Sequence, residues 1–425
     1  MKRLTGTVLV FFLILSFHNY KLFAQPDQKE PKNIVPILFE KNIVPNDSSN
    51  LCYISFRIPL NQLIFINKDN GYTGGIRLDF EFQNQDGIFD RASITKNIKV
   101  NTYDETKADN HYLQGLLSFE LPKEQFYLIP YLTFTNTQQS IRLDSINFDL
   151  KKLLSNGISH PVVLENGEND CGGSLSHTLA NYRNSIPFSD KSYFLIIPVS
   201  DSFLTKAKIV IDQENRTVFE NELNANTGRI IIKECENNVL VTTDSTNHTG
   251  KYFIVRNISE KLYEGNVRFR FYNDGKEIKE IFMTVNWFDK PRSLADLKNA
   301  IGLLNLIEGE EKVKQILNGD DAEKGKRLRE YWNRFDPDSS NAYNKLMAEF
   351  YNRADYAVEN YGSILNGNGI KSDRGKIYIR FGKPDEIVRD YSEDEVVYEI
   401  WKYNDLKKEF LFKDETGLGN YILSN

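Results

Sequence analysis

From about residue 34 to about residue 290 apolar residues return at every second position, a period that admits strands and excludes amphipathic helices. The stretch "GGIRLDFEFQNQDG" is the clearest case. Ile76, Leu78, Phe80 and Phe82 alternate there with Arg77, Asp79 and Glu81, as on a half-buried strand. "CYISFRI", "LIFIN", "ASITKNIKVNTY", "YLQGLLSFEL", "FYLIPYLTFTN" and "SIRLDSINFDL" repeat the logic between Asn, Asp, Gly and Pro breaks. Short strands at this spacing predict an all-β, immunoglobulin-like sandwich over residues 34–150. A second β-rich block, residues 151–290, opens with the loop-like "ENGENDCGGS" and holds "KSYFLIIPVSD", "KAKIVID", "GRIIIKECE" and "KYFIVRN". In "YNDGKE", Asp274-Gly275 between alternating runs signals a hairpin, and a second sandwich is predicted.

The period changes at about residue 291. "KPRSLADLKNAIGLLNLI" places Leu294, Leu297, Ile301 and Leu304 on one helical face, with Ser293 expected as N-cap and Asp296 three residues on. "DAEKGKRLREYWNRF" and "DPDSSNAYNKLMAEFYNRADYAVENYG" predict more helix, the second with a stripe of Tyr343, Leu346, Met347, Phe350, Ala354 and Ala357. "GKIYIRFG", "EVVYEIWKY", "KEFLFKD" and "NYILSN" then read as strands. Helices followed by a small antiparallel sheet make an α+β domain over 291–425. The fold class expected is therefore multidomain, two immunoglobulin-like sandwiches followed by this α+β unit.

The first residues narrow the location. Lys2 and Arg3 precede a short apolar run, and Ala24 offers a small residue before Gln25, the pattern of a secretory signal peptide over residues 1–24. The run is shorter than the ~20 residues of a spanning helix, so no stable membrane span is expected after signal removal. A polar leader follows over residues 25–33. The expected location is extracytoplasmic, periplasmic or secreted. Loss of Lys2, Arg3 and Lys21 with the signal takes the formal charge from −6 to −9. Nucleic acid is thereby a poor partner, since phosphate binding needs a concentrated basic face. Of the three cysteines, Cys171 and Cys235 fall in one block and can pair in an oxidising compartment, leaving Cys52 as a buried thiol; three unpaired buried thiols is the equal alternative.

Six stretches carry a family resemblance: "WFDKPRSLADLKNAI", "YWNRFDPDSSNAYN", "EFYNRADYAVENYG", "DRGKIYIRFGKPDEI", "YEIWKYND" and "FLFKDETGLGNY". In that order they make the region from about Pro291 to Asn425 resemble the GWxTD domain, a bacterial extracytoplasmic domain named after its five-residue signature. Here the signature reads "GIKSD". Gly369 and Asp373 are kept, Ile370 stands where the family has Trp, and Ser372 where it has Thr. The resemblance implies a location and an architecture, and no reaction.

Around that signature lie the candidate functional residues. Read structurally, Gly369 permits a turn, Ser372 and Asp373 bond nearby amides, "KIYIRF" forms a strand and "GKPDE" stops it. Read functionally, Asp373, Asp385 and Glu386 are the candidate catalytic carboxylates. Gly369, Ser372, Asp373, Arg374, Tyr378 and Arg380 are candidates for binding a polar ligand, convergent at one end of the strand. No phosphate-loop or calcium-loop spacing is complete and no histidines sit at ligand spacing, so no cofactor and no metal are expected. The function expected is a non-enzymatic binding or assembly protein of the cell envelope whose partner is another envelope protein. A hydrolase acting on an envelope polymer through the three carboxylates is the alternative.

Overall fold

The computed structural model describes residues 37–45, 50–108, 110–167, 169–171, 175–201, 203–246, 250–338, 340–363, 367–391 and 396–424. The expected signal peptide and polar leader lie outside the described residues. The chain is mostly β, with a helical region near the C-terminus and a small antiparallel sheet after it.

In the first block, strands Leu38–Pro45, Asn50–Pro59 and Tyr112–Leu121 form an antiparallel sheet in that order. A second sheet centres on Gly71–Asn84, flanked by Gly87–Val100 and Gln125–Phe134. The alternation read from the sequence is the burial observed: Ile76, Leu78, Phe80 and Phe82 are at most 1% exposed. These side chains hold the two sheets face to face, with Phe39 edge-on to Phe80 at 5.9 Å and Phe82 against Phe119 at 4.4 Å between ring centroids. Each such fully buried side chain contributes roughly 1.5–3 kcal/mol.

The second block has three layers. Its middle sheet, built on Tyr193–Val199, is buried at every residue of that strand. A strand covered on both faces has no polar side to show, so "YFLIIPV" reads as an unbroken apolar run. Leu195 and Ile197 face Ile209, Ile211, Phe269 and Phe271 of a five-stranded sheet that includes Lys206–Gln213 and Gly265–Asn273. Phe194 and Ile196 face Ile230, Ile232, Val239 and Val241 on the other side. Val44 and Tyr53 of the first block enter that same core. Asp274 and Gly275 both have positive φ, 50° and 79°, in the expected two-residue hairpin. Cys171 and Cys235 are disulfide-bonded, and Cys52 is a buried free thiol.

The C-terminal helices begin at side-chain caps. Asp296, Asp320, Asn344 and Ser372 each accept a hydrogen bond from a first-turn amide, starting helices Leu297–Leu303, Asp321–Asn333, Lys345–Asn360 and Asp373–Phe381. Two expectations are corrected here. Ser293 is not the N-cap: its hydroxyl donates to the Tyr351 carbonyl, and Asp296 caps instead. "GKIYIRFG" is not a strand, because Ser372 nucleates a helix through it. Ile377 and Ile379 project to opposite sides of that helix, and both are buried, since the helix lies in a core shared with Tyr351, Ala357, Ala300, Leu304 and Trp401. Burial on two sides gives a helix the alternation of a strand. Strands Glu386–Tyr391, Val397–Tyr403, Lys408–Asp414 and Ile422–Leu423 close the chain as an antiparallel sheet.

Candidate functional site

Ser372 organises the stretch that the sequence singles out. Its hydroxyl accepts from the Gly375 amide at 3.0 Å and donates to the Gly369 carbonyl at 2.7 Å. One side chain thus caps the helix and closes the tight turn before it. Gly369 is buried under the end of helix Lys345–Asn360, where a Cβ would stand 1.8 Å from the Ala357 carbonyl oxygen. Ile370 is half-buried against the helical core.

Asp373 opens the helix, where a negative charge meets the positive end of the backbone dipole. Its carboxylate accepts from the Lys376 ammonium at 2.8 Å and from the Leu423 amide at 3.0 Å. Burial pushes this carboxyl up, but the Lys376 and Leu423 bonds outweigh it and hold the group below its ordinary range. Asp385 instead accepts from the Asn404 amide at 2.7 Å, and Glu386 pairs with Lys402 at 2.9 Å. The sheet register separates these anchors. Leu423 lies opposite Phe412, which lies opposite Glu399, and Asn404, the residue that follows that strand, is five residues further on. Five residues of strand span about 16 Å. Glu386, opposite Lys402, lies on the strand three places across the sheet from Leu423, so Asp373 is brought to neither Asp385 nor Glu386.

The remaining candidates also have partners. The Arg380 guanidinium donates to the Leu306 carbonyl at 2.5 Å. Tyr378 stacks on Tyr356, centroids 4.6 Å apart and planes 18° from parallel, and burial raises its hydroxyl pKa. Arg374 lies 3.9 Å from the centre of the Tyr421 ring, and its Nη1 is 3.5 Å from Glu399 Oε1.

Glu399 is the residue that sequence reasoning missed. It is 2% exposed, accepts from Trp401 Nε1 at 2.6 Å and from Arg389 Nε at 3.0 Å, and so holds two guanidinium groups and an indole on one carboxylate. That bond holds the Arg389 guanidinium above its ordinary range. The signal was available in "YEIWKY": Glu399 shares strand parity with Trp401 and Tyr403, and parity with two core aromatics puts an acid on the buried face. An acid there requires partners, and the two arginines supply them. The cluster fastens the motif helix to the sheet. Among the described residues no group of three or more His, Cys, Asp or Glu is placed to hold a metal ion.

A β-rich chain ending in a helical unit and a small sheet, with its motif turn working as a helix cap, is the class that fold and site define. Residues 268–424 are a GWxTD domain, matched by that family's model. The match begins before the change of hydrophobic period, inside strand Gly265–Asn273, and so takes in the hairpin around Asp274-Gly275. No curated protein matches the chain. Among solved structures, the C-terminal domain of the Streptococcus pyogenes antigen I/II-family protein AspA aligns with 59% of this chain and 99% of its own, at 9% identity and a TM-score of 0.16. A likeness at that score carries no argument.

Proposed function

We propose that this chain is an exported, non-enzymatic binding or assembly protein of the bacterial cell envelope. In this reading the signal peptide is cleaved after Ala24, the two β-rich blocks act as spacers or docking surfaces, and the GWxTD domain is the interaction module. The observation that carries it is the use of the motif's polar side chains. Ser372, Asp373, Arg380 and Asp385 all serve as caps or anchors for neighbouring backbone. The Cys171–Cys235 disulfide supports an oxidising compartment. The alternative is a hydrolase of an envelope polymer acting through Asp373, Asp385 or Glu386, and a pairing of Asp373 with either of the others would need roughly 5–10 Å between carboxyls.

In-cell crosslinking of the tagged protein, followed by affinity capture and mass spectrometry, tests the reading. A defined envelope partner is expected, and repeated capture of none sinks it. The hydrolase has its own test: Asp373→Asn, Asp385→Asn and Glu386→Gln proteins that fold are expected to restore a deletion strain fully, whereas loss of rescue by a well-folded variant revives the enzyme.

A further inference from the structure

Strand Tyr112–Leu121 is the edge of its sheet: it pairs with Asn50–Pro59 on one side and, among the described residues, with no strand on the other. An open edge invites pairing with another chain, and charges along it discourage that. The edge strands Gly87–Val100 and Arg216–Asn224 carry such charges, Lys96 and Lys99 on the first and Glu220 and Glu222 on the second. Tyr112–Leu121 has none from Tyr112 to Phe119.

The tip of the hairpin between strands Arg229–Cys235 and Asn238–Asp244 covers that uncharged edge. The Asn237 side-chain amide accepts from the Gln114 N–H at 3.1 Å and donates to the Tyr112 carbonyl at 2.8 Å. Those are the two bonds that one residue of a parallel strand makes to its neighbour. Glu234 accepts from the Leu116 N–H at 3.2 Å and pairs with Lys96. Two side chains thus stand where a strand would lie.

The same tip is tied from its other side. Cys235 lies between Glu234 and Asn237 in the chain and on the opposite face of its strand from Glu234, and its disulfide runs to Cys171, 64 residues away. Both cysteines are half-buried rather than enclosed. The third is no exchange partner for them. Cys52 is 0% exposed, and burial pushes its thiol up to about 12, far from the thiolate that exchange requires.

We infer that the hairpin tip is a redox latch over a strand-pairing edge, and that a second copy of this chain pairs there when the latch opens. A protein dithiol supplies two electrons and two protons to the Cys171–Cys235 bond and leaves as a disulfide; Cys171 and Cys235 become thiols. The tip is then held to the edge only by the few bonds above, each a small net gain over water. The base of the hairpin stays packed through Ile230, Ile232 and Val241, so the movement is confined to the tip. Released, it bares the amides of Gln114 and Leu116. The uncharged edge meets the same edge of a second copy without repulsion, antiparallel about a two-fold axis. The inference goes beyond the binding role proposed above and does not depend on it, since the partner is the chain itself.

The full mature chain is compared before and after dithiothreitol, with a thiol titration in denaturant showing three thiols in place of one. Amide exchange read by mass spectrometry, at dilutions where the chain is monomeric, follows residues 112–117. Sedimentation velocity over a dilution series follows association. Cys171→Ser/Cys235→Ser is the permanently open form. Ser118→Lys, made in both the wild-type and the double-serine chain, puts a charge on an exposed position of the edge.

Reduction is expected to speed exchange at residues 112–117 at least about tenfold while strand Gly265–Asn273 keeps its protection, and to yield a dimer that dissociates on dilution. Ser118→Lys is expected to keep the faster exchange and lose the dimer. A disulfide that dithiothreitol leaves intact in the folded chain, exchange unchanged by reduction, or equal loss of protection in both strands overturns the inference. So does a reduced chain that stays monomeric, an oxidised chain that dimerises as well, or an undiminished dimer in Ser118→Lys.

Discussion

Glu399 and Glu40 are both buried carboxylates, and the fold meets their charge in different ways. Glu399 has Arg374, Arg389 and Trp401 around it. Glu399→Gln keeps an acceptor for the indole and leaves the largely buried Arg374 without its counter-charge, so a loss of about 3 kcal/mol is expected in urea unfolding. A loss below about 1 kcal/mol would show that the cluster carries little. Glu40, 5% exposed, accepts from the Asn184 amide at 2.6 Å, and burial raises its pKa from 4.5 to about 7 against the smaller pull of that bond and of Lys41. A carboxyl raised on folding favours the folded state fully below its unfolded value, and that advantage is lost as pH climbs toward 7. His160 lines the same pocket of about 160 Å³, and burial lowers its pKa, so its contribution runs the other way and is lost as pH falls below its ordinary 6.5. Glu40→Gln is accordingly expected to leave stability unchanged near pH 4 and to raise it by about 3 kcal/mol above pH 7. Urea titrations across that range check the sign; an equal effect at every pH would place its origin in packing.

At the scale of the element, the motif turn is the informative case. Ser372→Ala removes the bonds to Gly375 and Gly369 and is expected to lower stability by about 1 kcal/mol, while Ser372→Thr keeps an oxygen at the cap and should stay within a few tenths of wild type. Chemical denaturation of the three proteins measures the difference. Equal stability of Ala and Ser would mean the cap oxygen is dispensable. The same element shows what local pattern hides. "KIYIRF" carries β-branched Ile377 and Ile379 two apart, which favours strand by propensity and by period. A cap at Ser372 and cover on both sides override that preference, and no local pattern states that a helix will be covered twice. Glu399 is the opposite case, since its parity with Trp401 and Tyr403 was legible in six residues.

At the scale of the molecule, the blocks seen in the sequence share cores. Val44 and Tyr53 pack with Val162, Phe194 and Ile232, and Ala348 of the helical unit packs with Phe188, Phe269 and Met283. The GWxTD match likewise starts within a strand of the five-stranded sheet. Residues 37–150 expressed alone are therefore expected to lack a cooperative melt, since separation exposes Val44, Tyr53 and the Glu40 pocket to water. Calorimetry decides this, and a sharp transition in the isolated piece would show that it folds independently.

What this sequence determined by itself is whatever depends on nearest neighbours along the chain: where strands run, the Asp274-Gly275 hairpin, and the change from β to helix near residue 291. Side-chain period reports one buried face, and where an element has only one, the reading holds. The tertiary structure alone decided that the helix Asp373–Phe381 is covered twice, and which distant groups meet, as with Cys171 and Cys235 or Arg374 and Glu399. Those outcomes depend on the stacking of layers and on strand register, which bring together residues far apart in the chain, and alternation within one segment carries no record of its neighbours.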